Sequence, residues 1–158
     1  MTTDIVAQYW PLELARDFDA ANRSIIMTAL SFLPPRTIKN EMFSKLWLAI
    51  ATASRRGVAV QVALPAPTVA HPATLRNEAA ARDLAAIGAT TVLVPATNLL
   101  HAKTVCIDAR LAWVGSGNYT AAAAHHNREC WMRTTDERAV ASLAGFHATT
   151  FDAGVRAP

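Results

Sequence analysis

The chain has 158 residues, 52% of them apolar and 17% charged, which is ample for the core of one domain of ordinary size that folds alone or as a small oligomer. Its net charge of +3 and pI of about 9.2 fit an anionic partner but decide little by themselves. The two cysteines show no CxxC and no clustered Cys/His spacing, which excludes a zinc site, and Cys106 and Cys130, both in apolar strand-like segments, are expected as buried free thiols.

The amino terminus, MTTDIVAQYW, has an acid at position 4, no basic leader and no apolar run of signal-peptide length. The longest uncharged apolar run, Leu46 to Ala53, is far too short to span a bilayer. A soluble, cytoplasmic chain without stable membrane insertion is the expectation, with export of a processed form left open. Six basic residues (Arg23, Arg36, Lys39, Lys45, Arg55, Arg56) face one acid, Glu41, between positions 23 and 56. That cluster reads either as a solvated helix face or as a phosphate-tracking patch.

Pro11 opens a predicted first helix carrying Leu12, Leu14, Ala15 and Phe18. Ser24 to Phe32 is a near-continuous apolar run, as expected of a strand covered on both faces, and Pro34 and Pro35 end it. Ile38, Met42, Phe43, Leu46, Trp47, Ile50 and Ala53 recur at helical spacing, so a helix is predicted over Thr37 to Arg56, stopped by Gly57. Val58 to Leu64 reads as a second buried strand, the Pro65, Pro67 and Pro72 stretch as a loop, Ala73 to Ile87 as a helix closed by Gly88, and Thr90 to Val94 as a third strand. Beyond residue 118, Tyr119 to Ala124 is a predicted short helix, Glu129 to Arg133 a strand, and Asp136 to Thr150 a last helix. The alternation predicts an α/β domain with a mixed, largely parallel sheet sandwiched between helix layers.

Between these flanks lies His101 to Asn118, HAKTVCIDARLAWVGSGN. Side chains alternate along an extended segment, so His101 and Lys103 point one way while Ala102, Thr104 and Cys106 pack on the other. Asp108 and Arg110 make a polar turn, and Leu111 to Val114 reads as the return strand. Gly115 and Gly117 are expected to let the backbone approach a ligand near Ser116 and Asn118. A histidine for nucleophilic attack or proton transfer, a lysine for fixed charge and two short polar side chains together outline an anion site suited to a phosphate's non-bridging oxygens.

His101, Lys103, Asp108, Gly115, Ser116 and Asn118 satisfy every fixed position of HxKxxxxDxxxxxxGSxN, which resembles the HKD signature of the phospholipase D superfamily. Six fixed positions would match by chance on the order of once in 10^7 to 10^8 starts. The resemblance extends to Asn127 and Glu129 in HNREC, where the family usually carries a glutamate, and covers most of the chain. It implies the family's αβα fold, a single phospholipase D-like domain over residues 1–158 and a phosphodiesterase that needs no cofactor and no metal. Because this chain holds one motif and the family brings two histidines to one site, it also implies a homodimer with a composite site. His101 would be the nucleophile or proton carrier, Lys103 and Asn118 would hold the equatorial oxygens, Ser116 would add a hydroxyl, and Glu129 would accept a hydrogen bond from His101 and fix its tautomer. Asp108 falls on the opposite face near the turn and is read as structural, pairing with Arg110 or a backbone amide.

The other notable residues have plainer readings. His71, in a proline loop, and His147, in the last helix, are read as incidental, and His125 and His126 as candidate gate residues. Trp47, Trp113 and Trp131 are assigned to the core, and Tyr9 and Trp10 to a surface or an interface. The short single-motif members that the chain looks like are mostly nucleases of the bacterial Nuc type, so a metal-independent endonuclease with little base specificity leads. Nucleic acid is then the substrate. A phospholipase D or phosphatidyltransferase acting on phospholipid head groups is the alternative, since HNREC also occurs in lipid-type members. A non-catalytic nucleic-acid-binding module is the third.

Overall fold

The computed structural model describes residues 1–33, 41–97 and 99–157. The prolines at 34 and 35, the start of the second predicted helix and the basic residues Arg36 and Lys39 therefore lie outside the described residues. A short first strand, β1 (Thr3–Val6), leads into α1 (Trp10–Ala20), where Pro11 occupies the first turn and loses no intrahelical hydrogen bond. Then come β2 (Ser24–Thr28), α2 (Glu41–Arg55), β3 (Ala59–Pro65), a single 3-10 turn (Pro72–Thr74), α3 (Asn77–Ala86) and β4 (Thr90–Val94). The hairpin β5 (Lys103–Ile107) and β6 (Leu111–Gly115) carries the motif; α4 (Ala121–His125), β7 (Trp131–Thr134), α5 (Glu137–Asp152) and β8 (Val155–Arg156) complete the chain.

The eight strands among the described residues form one sheet in the order β1-β7-β6-β5-β2-β3-β4-β8. It is mixed, as expected, yet parallel pairing is confined to β2 with β3 and β3 with β4. The other pairings are antiparallel, because the motif strands return by hairpin and both chain ends add an edge strand. The sheet is thus less parallel than helix–strand alternation implied. Those edge strands, β1 and β8, were not anticipated; they are short and exposed, with too few apolar residues to leave a pattern.

Alternation along the strands divides the core. Ile25, Met27, Val60, Val62, Val105 and Trp113 point to the side packed by α1, α2 and α3, whereas Cys106 and Ala112 meet Val140 and Leu143 of α5 on the other. Gly57 and Gly88, with φ of +87° and +88°, end α2 and α3 in the left-handed conformation that glycine adopts freely. The third helix begins later than its apolar pattern indicated. Asn77 is fully buried and donates to the carbonyls of Leu30 (2.9 Å) and Pro65 (3.0 Å), tying the ends of β2 and β3 to the helix start, while Thr74 caps the preceding turn. On the far side of the core, Asp17 of α1 accepts from Trp113 Nε1 (2.8 Å) and from Arg133 Nε (2.8 Å) and Nη2 (2.9 Å), which clamps α1 across β6 and β7.

The basic cluster disperses. Lys45 pairs with Glu41 at 2.8 Å, Arg56 donates to the carbonyls of Phe18 and Ala21 at the end of α1, and Arg23 donates to the Asp108 carbonyl. Arg55 donates to Thr52 Oγ1 at 3.1 Å, so the described members of the cluster each make a contact within or beside α2 or at the β5–β6 turn.

Candidate active site

Lys103 opens β5 directly opposite Gly115, which closes β6, and Gly115 in turn lies opposite Trp131, which opens β7. This register brings His101, Lys103, Ser116, Asn118 and Glu129 to one end of the sheet. It is also the end where the parallel strands β2, β3 and β4 finish, the usual place for a site in an open α/β sheet. Asn118 is fixed by Ser31 beyond β2, whose amide donates to its side-chain oxygen at 3.3 Å.

His101 is exposed, and Lys103, on the face that continues into Val105 and Ile107, is only 5% exposed. The Lys103 ammonium lies 2.9 Å from His101 Nδ1 and 3.4 Å from Nε2, and donates to the His101 carbonyl at 2.7 Å. Burial pulls the Lys103 ammonium below its ordinary value, and the nearby Glu129 charge partly opposes this. Burial, then the Lys103 charge, then that of His71 pull His101 down, so its neutral, nucleophilic form is favoured. His71, assigned no role from the sequence, is therefore close enough for its charge to act on His101.

Glu129 is committed elsewhere than expected. Ser116 Oγ donates to it at 2.5 Å and Asn127 Nδ2 at 2.9 Å, while the Cys130 amide donates to Ser116 Oγ at 3.1 Å. A hydrogen bond to His101 is not among those it makes with the described residues. The reason is local: Asn127 and Glu129 lie two residues apart on the approach to β7, opposite the end of β6, and there they meet Ser116 first. Cys130 on that approach is exposed, against expectation, because the strand begins only at Trp131; Cys106 is buried, and both are free.

The motif glycines serve packing. A Cβ at Gly115 would come within 2.3 Å of the Trp131 ring, and one at Gly117 would lie 3.0 Å from Trp131 Nε1 and 3.3 Å from Trp10. They make room for a buried indole. Trp10, assigned to a surface or an interface, is instead buried and stacks on Trp131 with ring centroids 5.0 Å apart, because the helix it opens lies against the sheet; Tyr9 stays exposed.

At the other end of the hairpin Asp108 accepts backbone amides from Asn22 (2.9 Å), Arg23 (2.8 Å) and Ser24 (2.8 Å). Burial raises its carboxyl, but these amides and the Arg23 guanidinium outweigh that and leave it below its ordinary value. One β5 length, roughly 16 Å at about 3.3 Å per residue, separates it from Lys103.

His147 is anything but incidental to the packing. It is 1% exposed, with Nε2 2.7 Å from Thr104 Oγ1, which lies 2.7 Å from Thr28 Oγ1, which donates to the Ala102 carbonyl at 3.1 Å. Each hydroxyl has one proton, so the order of donors and the His147 tautomer are linked: where Thr28 gives its proton to the Ala102 carbonyl, Thr104 donates to Thr28 and His147 carries its proton on Nε2. Nδ1 is buried without a partner among the described residues, and burial holds the imidazole down at about 4. The chain ends on the residue between His101 and Lys103. No pattern in the sequence marks it, since His147, Thr104 and Thr28 come from three distant elements.

Among the described residues no three His, Cys, Asp or Glu side chains gather as metal ligands, and no helix is long and apolar enough to cross a membrane. What the strand register brings to one sheet end is an imidazole, an ammonium, a hydroxyl, an amide and one carboxylate, a set that can attack and hold a phosphoryl group.

Comparison with known proteins gives the family and the fold. The model of the family described as "Cardiolipin synthase, PLD-like domain" matches residues 14–148. Among curated proteins none is significantly similar. Of solved structures, the phospholipase D family member Nuc from Salmonella typhimurium superposes with a TM-score of 0.79 at 21% identity, covering 98% of this chain and 97% of that one. NucT from Helicobacter pylori gives 0.75 at 16%, covering 98% of each chain. Phosphatidylserine synthase from Haemophilus influenzae gives 0.68 at 14%, covering 90% of this chain and 36% of that one. With His101, Lys103, Ser116 and Asn118 at one sheet end, Asp108 at the hairpin turn, and the family model matched over most of the chain's length, the chain belongs to the phospholipase D superfamily.

Proposed function

We propose that the chain is a single phospholipase D-like domain that cleaves nucleic acid as a metal-independent endonuclease of low base specificity, working as a homodimer. The observation that carries this reading is the Lys103 ammonium held 2.9 Å from the His101 ring at a buried strand end. It supplies fixed positive charge beside a neutral imidazole, the pairing that phosphoryl transfer to nitrogen requires. Likeness in fold to Nuc and NucT supports the substrate class.

In the mechanism, His101 attacks phosphorus to form an N–P bond as the bond to the leaving oxygen breaks, and the partner's His101 gives that oxygen a proton. Water, losing a proton to the partner's His101, then attacks phosphorus and breaks the N–P bond, so both histidines return to their starting state. Lys103 and Asn118 stabilise charge on the equatorial oxygens, which takes the part a metal plays elsewhere. Ser116 and Glu129, bonded to each other, hold the far wall.

Labelled single- and double-stranded DNA, with and without EDTA, tests the reading against His101→Ala. Cutting that survives EDTA and disappears in the variant is expected. Mixing His101→Ala chains with wild type should lower activity more than dilution does, since each heterodimer lacks one histidine; a fully active monomer by light scattering would sink the dimer. The family description and the phosphatidylserine synthase fold favour a second reading, transfer on a phospholipid head group. Turnover of phospholipid vesicles without DNA cleavage would select it, and salt-sensitive DNA binding without any turnover would select a binding module.

A further inference from the structure

Two hollows touch the site, and they differ in charge. One, on the outer side of His101, is lined by Val94, Leu99, Leu100 and Phe146, with no ionisable side chain except His101 itself. The other, of about 510 Å³, is bounded by Gln8, Trp10, His125, His126, Arg128 and Glu129. Glu129 is the wall it shares with the site, through the hydrogen bond from Ser116.

The second hollow is a built one. The amides of His126 and Asn127 both donate to the Ala122 carbonyl, at 2.8 and 2.9 Å, and Asn127 is tied to Glu129, so the loop bearing the histidines and Arg128 is held at both ends. The His125 and His126 rings lie 5.8 Å apart and are exposed. Arg128 is exposed too and makes no ion pair among the described residues. Its floor is apolar, made by Trp10, Ala123 and Ala124. A guanidinium, two imidazoles and an amide over an apolar floor suit a sugar with an adjoining phosphate, and the volume lies in the range of small-ligand sites.

We infer that this groove is a subsite for the nucleotide next to the scissile phosphate, with Arg128 and His125 holding the neighbouring phosphate. The inference rests on the proposed cleavage of phosphodiesters in nucleic acid. A repeating polyanion presents a second phosphate one nucleotide from the one under attack, whereas a lipid with a single phosphate leaves these groups without a counterpart.

The test compares wild type with Arg128→Ala, His125→Ala and the double variant on two substrates. Bis(4-nitrophenyl) phosphate has a scissile diester and no neighbouring phosphate; a labelled single-stranded oligodeoxynucleotide has both. The variants should turn over the small diester as wild type does. On the oligonucleotide, Arg128→Ala should lose roughly tenfold in kcat/KM, mainly through KM. The slope of log(kcat/KM) against log salt should shrink by about 1, and Arg128→Lys should recover part of the loss.

Equal losses on both substrates, or none on the oligonucleotide, would overturn the subsite while leaving diester cleavage standing. Loss on phospholipid vesicles but not on the oligonucleotide would assign the groove to a lipid and overturn it as well. A wild-type protein that cleaved neither diester would remove the proposed function, and the subsite with it.

Discussion

The two ends of the β5–β6 hairpin carry the same kinds of residue and use them in opposite ways. At the turn, Asp108 spends its carboxylate on three backbone amides. At the open end, Lys103 is buried with its ammonium turned to the His101 ring and carbonyl, and no carboxylate lies in hydrogen-bonding contact with it among the described residues. A satisfied charge stabilises the fold, whereas a charge held short of a counterion is stored for a ligand. The same six-residue motif thus contains an anchor and a site, and the two should respond to substitution in contrary senses.

The largest effect should come from Lys103→Met. Diester turnover should drop about 10^2- to 10^3-fold, as for loss of a single charge-stabilising donor, while the urea midpoint stays level or rises because a buried charge has gone. A large loss of stability would place Lys103 with the anchors and break the contrast.

Next is the proton on His147. In the fold this imidazole stays neutral down to about pH 4, whereas the unfolded chain takes up a proton near pH 6.5. The unfolded state therefore binds more protons as pH falls, and stability should decline between about pH 6.5 and 4 by roughly 3 kcal/mol in total. Urea unfolding at pH 7, 5.5 and 4.5 measures this, and His147→Gln should flatten the dependence.

Asp108→Ala should cost about 2 kcal/mol by leaving the amides of Asn22, Arg23 and Ser24 without their acceptor. The chains that remain folded should keep their kcat. A selective loss of kcat would move Asp108 into the site. The smallest effect is at the neighbouring turn position, where Ala109 has φ of +53°. Ala109→Gly should relieve about 1 kcal/mol of left-handed strain, read as a higher unfolding midpoint with activity unchanged.

How much of this was legible in the sequence follows from the range of each interaction. The β5–β6 hairpin, the helices closed by Gly57 and Gly88, and the convergence of His101, Lys103, Ser116 and Asn118 depend on neighbours in sequence or on one hairpin register, and those leave a pattern. Trp10 could not be placed, because its stacking on Trp131 joins the first helix to the seventh strand. The partners of Glu129 depended on where β7 starts, a matter of two residues. The relay from His147 through Thr104 and Thr28 depends on three elements converging, and threonines in strands have commonplace reasons to be there. The roles of Gly115 and Gly117 were hidden for the opposite reason: glycine near a site reads as room for a ligand until the side chain filling that room is known.

Cys130 gives the unmodified chain a reporter. It is the exposed thiol of the two, its amide is bonded to the Ser116 hydroxyl, and Cys106 is buried beneath α5. A maleimide fluorophore or a nitroxide should therefore attach at one place, a single residue from Glu129, with no engineering of the sequence. In a symmetric dimer two such labels would yield one distance distribution; in a monomer they would yield none. Quaternary structure and substrate occupancy can then be followed from the same atom, in solution, on the wild-type protein.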